Sequence, residues 1–210
     1  MAATIAKRIG RLAPSSSVLF VCDVQEVFRN SIYQMPTVVR STNLLVSAAK
    51  VLDIPIVVTT QYVARLGDTV TEINKNLEDA KSHKVFDKTL FSMMTDEVTA
   101  HVENDLAKPQ SVILCGIEGH VCVMQTCLDL LERGYDVHVV ADAVSSSTSF
   151  TRDVSLERMR QSGAFITSTE SSLFQLTGDS KNPKFKSISK LIKEHMKEVN
   201  GFDANATARL

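Results

Sequence analysis

The sequence predicts a doubly wound α/β domain, a parallel sheet flanked by helices, and three observations predict it. Several short runs are continuously apolar and rich in β-branched residues, as strands covered on both faces require. Segments with apolar residues at helical spacing alternate with those runs. No internal repeat, low-complexity block or Pro/Gly-rich linker divides the 210 residues, so one domain is expected over 1–210, with its core between about 15 and 195.

The elements follow in order. "SVLFVCDVQ" (17–25) reads as the first buried strand, and "PTVVRSTNLLVSAAKVL" (36–52) as a helix, with Pro36 suited to its first turn. "IPIVVTTQYV" (54–63) is the second strand. From Gly67 to Thr89 the chain is polar, with one short helical stretch at "VTEINKNLEDA"; "TDEVTAHVENDL" (95–106) is a clearer amphipathic helix. "SVILCGI" (111–117) is the third strand, and the helix that follows it, from about Val121 to Arg133, is closed by Gly134. "DVHVVADAV" (136–144), a helix over 151–163 and "AFITST" (164–169) supply strand, helix and strand. "SISKLIKEHMKEV" (187–199) ends the series as an amphipathic helix with lysines outward.

Composition narrows the function classes. With 44% hydrophobic and 22% charged residues and a net charge of −1, the chain is an ordinary globular protein without general attraction for nucleic acid or anionic lipid. No apolar run approaches the roughly 18 to 20 residues of a membrane span. Cys22, Cys115, Cys122 and Cys127 are scattered, three of them in strongly apolar runs, which fits reduced thiols in an intracellular compartment. The first 22 residues carry Lys7, Arg8 and Arg11 and no acid; they read as a short basic helix, with a mitochondrial transit segment as the alternative. Ala208-Arg209-Leu210 is a conservative variant of the Ser-Lys-Leu peroxisomal signal, so the cytosol or a peroxisome-type organelle is expected.

Ligands of open parallel sheets bind outside the carboxyl ends of the strands. That rule selects Asp23 and Gln25, then Gln61 and Tyr62, then Glu118 through Cys122, then Asp142, with Lys84, Asp87 and Lys88 in the long central segment. Asp23 ends the run "VLFVC", where burial demands a partner; the plain alternative is a turn cap. Lys88 is an amine in an apolar setting, or else a snorkelling surface lysine. Cys122 falls near a helix start, where free amides and the positive dipole end favour a thiolate, whereas Cys22, Cys115 and Cys127 read as core. Zinc is disfavoured, because the cysteines form no Cys-x-x-Cys knuckle and His120 is the only histidine nearby; His101, His138 and His195 read as ordinary helix or strand histidines. As a set, Asp23, Lys88 and Cys122 can act as base, charge support and nucleophile.

In "VCDVQEVFR", "FDKTLFSM" and "CGIEGHVCVMQTCLDLLERGYDVHVVADAVSSS", with "RMRQSGAF" and "FKSISKLIKE", the chain resembles the isochorismatase-like cysteine hydrolases, and most of all the isochorismatase domain-containing proteins. The resemblance implies a three-layer α/β/α sandwich with a six-stranded, mostly parallel sheet. It implies the triad Asp23, Lys88 and Cys122, a cis peptide at Ile117-Glu118, and an oxyanion hole from the amides of Glu118 and Cys122. The histidines of the zinc-dependent nicotinamidases in that superfamily are missing after the second strand, and the frequent threonine before the nucleophile is Gly119. The expected protein is therefore a metal-independent, cofactor-free hydrolase acting on a small amide, ester or related C–N bond. Gln25, Phe28, Gln61, Tyr62, Phe91, Gly119 and His120 are its expected pocket wall. A homo-oligomer is expected, with the apolar face of the C-terminal helix as a contact. A non-enzymatic binding or scaffold protein, and a nuclease, are the rival readings.

Overall fold

A computed structural model describes residues 9–107, 109–198 and 200–202. Lys7, Arg8 and Ala208-Arg209-Leu210 lie outside the described residues. Strands β1 (Ser17–Cys22), β2 (Ile56–Gln61), β3 (His83–Lys88), β4 (Ser111–Gly116), β5 (Asp136–Val144) and β6 (Phe165–Thr167) form one sheet in the order β3-β2-β1-β4-β5-β6. Every pairing is parallel, so the sheet is wholly rather than mostly parallel. Helices α1 (Met35–Leu52), α2 (Val63–Leu66), α3 (Thr71–Leu77), α4 (Asp96–Ala100), α5 (Met124–Glu132), α6 (Ser149–Gln161), α7 (Thr169–Thr177) and α8 (Phe185–His195) connect or follow the strands.

Residue alternation along β1 sorts the core into two layers. Leu19 and Val21 pack with the apolar sides of α1, α3, α7 and α8, while Val18, Phe20 and Cys22 pack with those of α4, α5 and α6. The three-layer sandwich follows from burying both faces of a sheet whose central strands are buried throughout.

Two expectations change. The residue pattern alone shows five strands, and the sixth, which the family resemblance implies, is β3, the edge strand "HKVFDK". Only Phe86 and Lys88 of it are buried, so its side chains carry no continuous apolar run; parallel pairing to β2, from Ile56↔His83 to Gln61↔Lys88, makes it a strand. The apolar face of α8 is not free for a second copy either. Ile188 and Ile192 are buried against the α1 layer, because eleven residues of amphipathic helix find their partner within the chain.

Boundaries shift by small amounts for local reasons. Helix α6 begins at Ser149 rather than 151 because Thr148 and Thr151 form a reciprocal capping box, which places Thr151 inside the first turn. The helix expected over 95–106 opens as α4 on a Thr95 cap and continues as a π-helical turn over His101–Asp105.

His138 on β5 is buried, its ring stacked on Phe165 at 5.0 Å, and its Nε2 has no partner among the described residues. Burial pushes its pKa from the usual 6.5 down to about 4, so protons bind the unfolded chain first. Stability should be complete above about pH 6.5 and fall by about 3 kcal/mol as the pH drops through about 4. Urea titrations of His138→Leu over that range are expected to show a pH slope smaller by about one proton than the parent's; equal slopes would exclude His138 as the cause.

Candidate active site

The strand order reverses between β1 and β4: the chain leaves β1 towards β2 and leaves β4 towards β5, so the carboxyl ends of these neighbours open a crevice. Asp23 is the first residue beyond β1. It turns the chain out of the sheet with φ 50°, and its carbonyl accepts from Gln25 N at 2.8 Å. Its side chain is 2% exposed. Thr59 Oγ1 donates to Oδ1 at 2.7 Å, Lys88 Nζ donates to Oδ2 at 2.7 Å, and the Cys22 thiol reaches Oδ2 at 3.6 Å. The carboxylate thus faces side chains inside the fold.

Lys88 ends β3 with a fully buried side chain. Besides Asp23, its Nζ meets Gln61 Oε1 at 2.7 Å and the carbonyls of Leu90 and Phe91 at 3.0 Å each. Four acceptors surround three N–H bonds, and one of them is anionic. An ammonium can remain buried only under such conditions, so Lys88 is no snorkelling surface residue.

Cys122 comes from the other side of the crevice, in the π-helical turn Gly119–Val123 that leads into α5. It shares the α5 layer with Cys22. Before it, the Ile117–Glu118 peptide is cis. Gly119 N donates to Ser145 O at 2.7 Å, and Val121 N and Val123 N turn back to Glu118 O; the amides of Glu118 and Cys122 take no part in these bonds. Thr126 Oγ1 donates to Cys122 O at 2.6 Å and accepts from Met93 N at 2.8 Å, tying the Cys122 turn to the segment after Lys88.

The expected wall residues divide. Gln25 is fully buried: its Nε2 donates to Gln61 O and Gly67 O at 3.1 and 2.6 Å, and its Oε1 accepts from Gln61 N. Gln61 in turn donates from Nε2 to Thr89 O and accepts at Oε1 from Lys88 Nζ. Both glutamines are ties rather than free wall groups, because their amides replace backbone partners that the strand ends lack. Phe28 is half-buried against the α1 layer, whereas Tyr62 and Phe91 are exposed. A Cβ at Gly119 would stand 2.9 Å from Ser146 Oγ and 3.0 Å from Ser155 Oγ, so the turn is crowded there. His120 is half-buried, with Nδ1 unpartnered among the described residues.

The other strand-end candidates are structural. Asp142 accepts from Thr169 N and Oγ1 at the start of α7, and Asp87 from Val63 N at the start of α2. Lys84 is exposed over the Phe86 ring. Thr59 and Cys22 are the site neighbours that the sequence does not reveal, since each reads as part of an apolar run; their register pairing across β1 and β2 is what sets them around Asp23.

Residues 17–171 match the isochorismatase domain family model. The chain belongs to the isochorismatase family. It is 66% identical over 200 residues to the secreted isochorismatase effector Isc1 of Phytophthora sojae, covering 95% of each chain. To isochorismatase domain-containing protein 2 of Xenopus laevis it is 48% identical, over 90% of this chain and 89% of the relative. A solved structure from Caenorhabditis elegans described as MAR1 ribonuclease superposes with a TM-score of 0.82 at 45% identity, over 87% of this chain and 92% of that one. Membership brings a hydrolase fold to this chain.

Two measurements test this geometry. Burial pushes the Cys115 and Cys127 thiols up to about 12 and raises Cys22 as well, while Cys122 alone among the four has exposed surface. Iodoacetamide at mildly alkaline pH should therefore label Cys122 alone in the folded chain and all four cysteines in denaturant, as read by peptide mass. Lys88→Met, which leaves the buried Asp23 carboxylate without its cation, should lower unfolding free energy by about 3–5 kcal/mol in urea titrations. A loss below about 1 kcal/mol would show that the pair is not carrying a buried charge.

Proposed function

We propose that this chain is a metal-independent cysteine hydrolase that cleaves a small amide, ester or related C–N bond. The observation that carries the reading is the fully buried Asp23–Lys88 pair at the β1–β4 crevice, with Cys122 entering from the opposite side. Asp23 takes the proton of the Cys122 thiol, while Lys88 fixes the carboxylate and balances its charge. The thiolate adds to the acyl carbon, and the amides of Glu118 and Cys122 receive the oxyanion. Collapse breaks the bond to the leaving amine or alcohol, which takes the proton back from Asp23. Water, deprotonated by Asp23, then adds to the thioester and releases the acid and the free thiol. Tyr62 and Phe91 at the rim and His120 within are the side chains left to contact substrate.

The relatives' names order the substrates to try. Isochorismate comes first because of the Phytophthora sojae effector. Its cleavable bond is an enol ether, whose hydrolysis begins with protonation of carbon rather than thiolate attack; Asp23 would deliver that proton only after taking one from Cys122 or water. RNA is the second reading, favoured by the description of the Caenorhabditis elegans structure; the net charge of −1 supplies no general attraction for it. We also propose a homo-oligomer, supported by Phe150 and Val154, which expose 74% and 53% of their surface on the first turns of α6. An intracellular site of action is proposed from the reduced thiols, with export the alternative because the effector relative is named as secreted.

The experiment is a panel of small amides, esters, isochorismate and RNA, each with EDTA present, assayed with the parent, Cys122→Ala and Asp23→Asn. Cys122→Ala is expected to lower kcat at least about a thousandfold on the accepted acyl substrate, and intact mass should show an acyl adduct on Cys122 in the parent. Unchanged turnover of every accepted substrate by Cys122→Ala would sink the acyl-enzyme reading. Loss in Asp23→Asn alone, on isochorismate, would replace it with acid-catalysed enol-ether cleavage. Absence of turnover and adduct across the panel would favour a binding protein.

A further inference from the structure

Strand β5 ends at Val144, yet the turn that carries Cys122 hangs on the residue that follows. Gly119 N donates to Ser145 O at 2.7 Å, so Ser145 sets the position of Gly119 and of the neighbouring Glu118 and Cys122 amides. Ser145 lies beyond the strand, and side groups from two other elements hold it and its neighbours. Arg152 on α6 donates from Nε to Val144 O at 2.9 Å and from Nη2 to Ala141 O, clasping the end of β5. Tyr33, ahead of α1, donates its N–H to Ser146 O at 2.9 Å, and its carbonyl accepts from Ser145 Oγ.

Both clamps meet one ring. Arg152 Cζ lies 3.9 Å from the centroid of the Phe202 ring, and the Tyr33 centroid lies 6.0 Å from it. Phe202 belongs to the segment 200–202 beyond α8, which is tied to the first turn of α1: Gly201 N donates to Thr37 Oγ1 at 3.0 Å, and Phe202 N to Asn200 Oδ1 at 3.0 Å. A Cβ at position 201 would run into Gln34 Oε1 and Thr37 Oγ1, so only glycine brings the chain this close. The Arg152 guanidinium needs such a cover. Its side chain is only 11% exposed, Nε and Nη2 face neutral carbonyls, and Asp153, 3.4 Å from Nη1, has half its side chain in solvent. An aromatic face over a largely desolvated cation supplies attraction that water no longer can.

We infer that Arg152, held against the end of β5 by Phe202, is a positioning residue for the oxyanion turn. Through Val144 and Ser145 it fixes Gly119, and thereby the amides of Glu118 and Cys122, without touching substrate. This role rests on the cysteine hydrolase reading, because those amides matter only where an acyl oxygen gains charge. The sulfur is held separately, by the Thr126 hydroxyl on Cys122 O and by packing in the α5 layer. Loosening Arg152 should therefore disturb the amides and spare the thiol.

Two probes of the same thiol in the full chain test this. With 4-nitrophenyl acetate the Cys122 thiolate adds to the ester carbon, the charge passes to oxygen, and collapse expels 4-nitrophenolate and leaves an acetyl thioester. With iodoacetamide the thiolate displaces iodide, and no oxyanion forms. Phe202→Ala and Arg152→Lys are expected to slow acetylation of Cys122, read as the nitrophenolate burst and the acetylated peptide, at least about tenfold, with alkylation within about twofold of the parent's rate. Phe202→Tyr keeps the ring face and should acetylate as the parent does. Cys22, Cys115 and Cys127, buried in the parent, remain unlabelled in a variant that is folded, and Phe202→Ala decides alone if Arg152→Lys is not. Rates that fall together, or that neither variant changes, overturn the positioning role and leave the nucleophile standing. A parent Cys122 that takes iodoacetamide but no acetyl group overturns the acyl-enzyme reading, and the role of Arg152 falls with it.

Discussion

The buried ion pair between Asp23 and Lys88 is the constraint around which the rest of this molecule is arranged. Neither charge could be tolerated there alone, since an uncompensated buried charge costs several kcal/mol. Each of the surrounding groups answers that demand. Thr59 takes the carboxylate's second oxygen, Gln61 and two backbone carbonyls take the remaining ammonium protons, and the left-handed turn at Asp23 swings its side chain into line. Three strands contribute to one cluster: β1 carries Asp23 at its end, β2 carries Thr59 and Gln61, and β3 ends in Lys88.

Those ties also explain why long connections can be precise. Gln25 binds the exit of β1 to the exit of β2 and to Gly67, and Thr126 binds Cys122 to Met93 beyond β3. A site on loops is only as accurate as the groups that hold them, and here the glutamine and threonine side chains supply what strand pairing cannot. The crevice therefore brings a charged pair and a thiol-bearing turn together from opposite sides of a topological switch point.

Much of the fold was legible because buried parallel strands write themselves as apolar runs. "SVLFVC", "SVILCG" and "DVHVVADAV" fall on β1, β4 and β5 with bounds within a few residues. The edge strand was not legible, because "HKVFDK" shows four of its six side chains to solvent and has no reason to be apolar. Asp23, Lys88 and Cys122 stood out as polar or reactive groups in apolar surroundings. The roles of Gln25 and Gln61 did not, since a glutamine at a strand end looks the same whether it faces a ligand or a backbone. Likewise the apolar stripe of α8 announces that something covers it, and only packing shows that α1 does.

The sequence by itself determined the layered α/β class and the family resemblance, and it singled out Asp23, Lys88 and Cys122 as candidates. These are recorded in local pattern: hydrophobic period, strand-end position and the spacing of short motifs. Tertiary structure alone decided which segment is the sixth strand, that Lys88 points inward, that Thr59 and Cys22 stand beside Asp23, and that two expected wall residues are clamps. Each of those facts concerns which partner a polar group meets across dozens of residues, and a partner's identity is fixed by register and packing rather than by the residue's own neighbours in the chain.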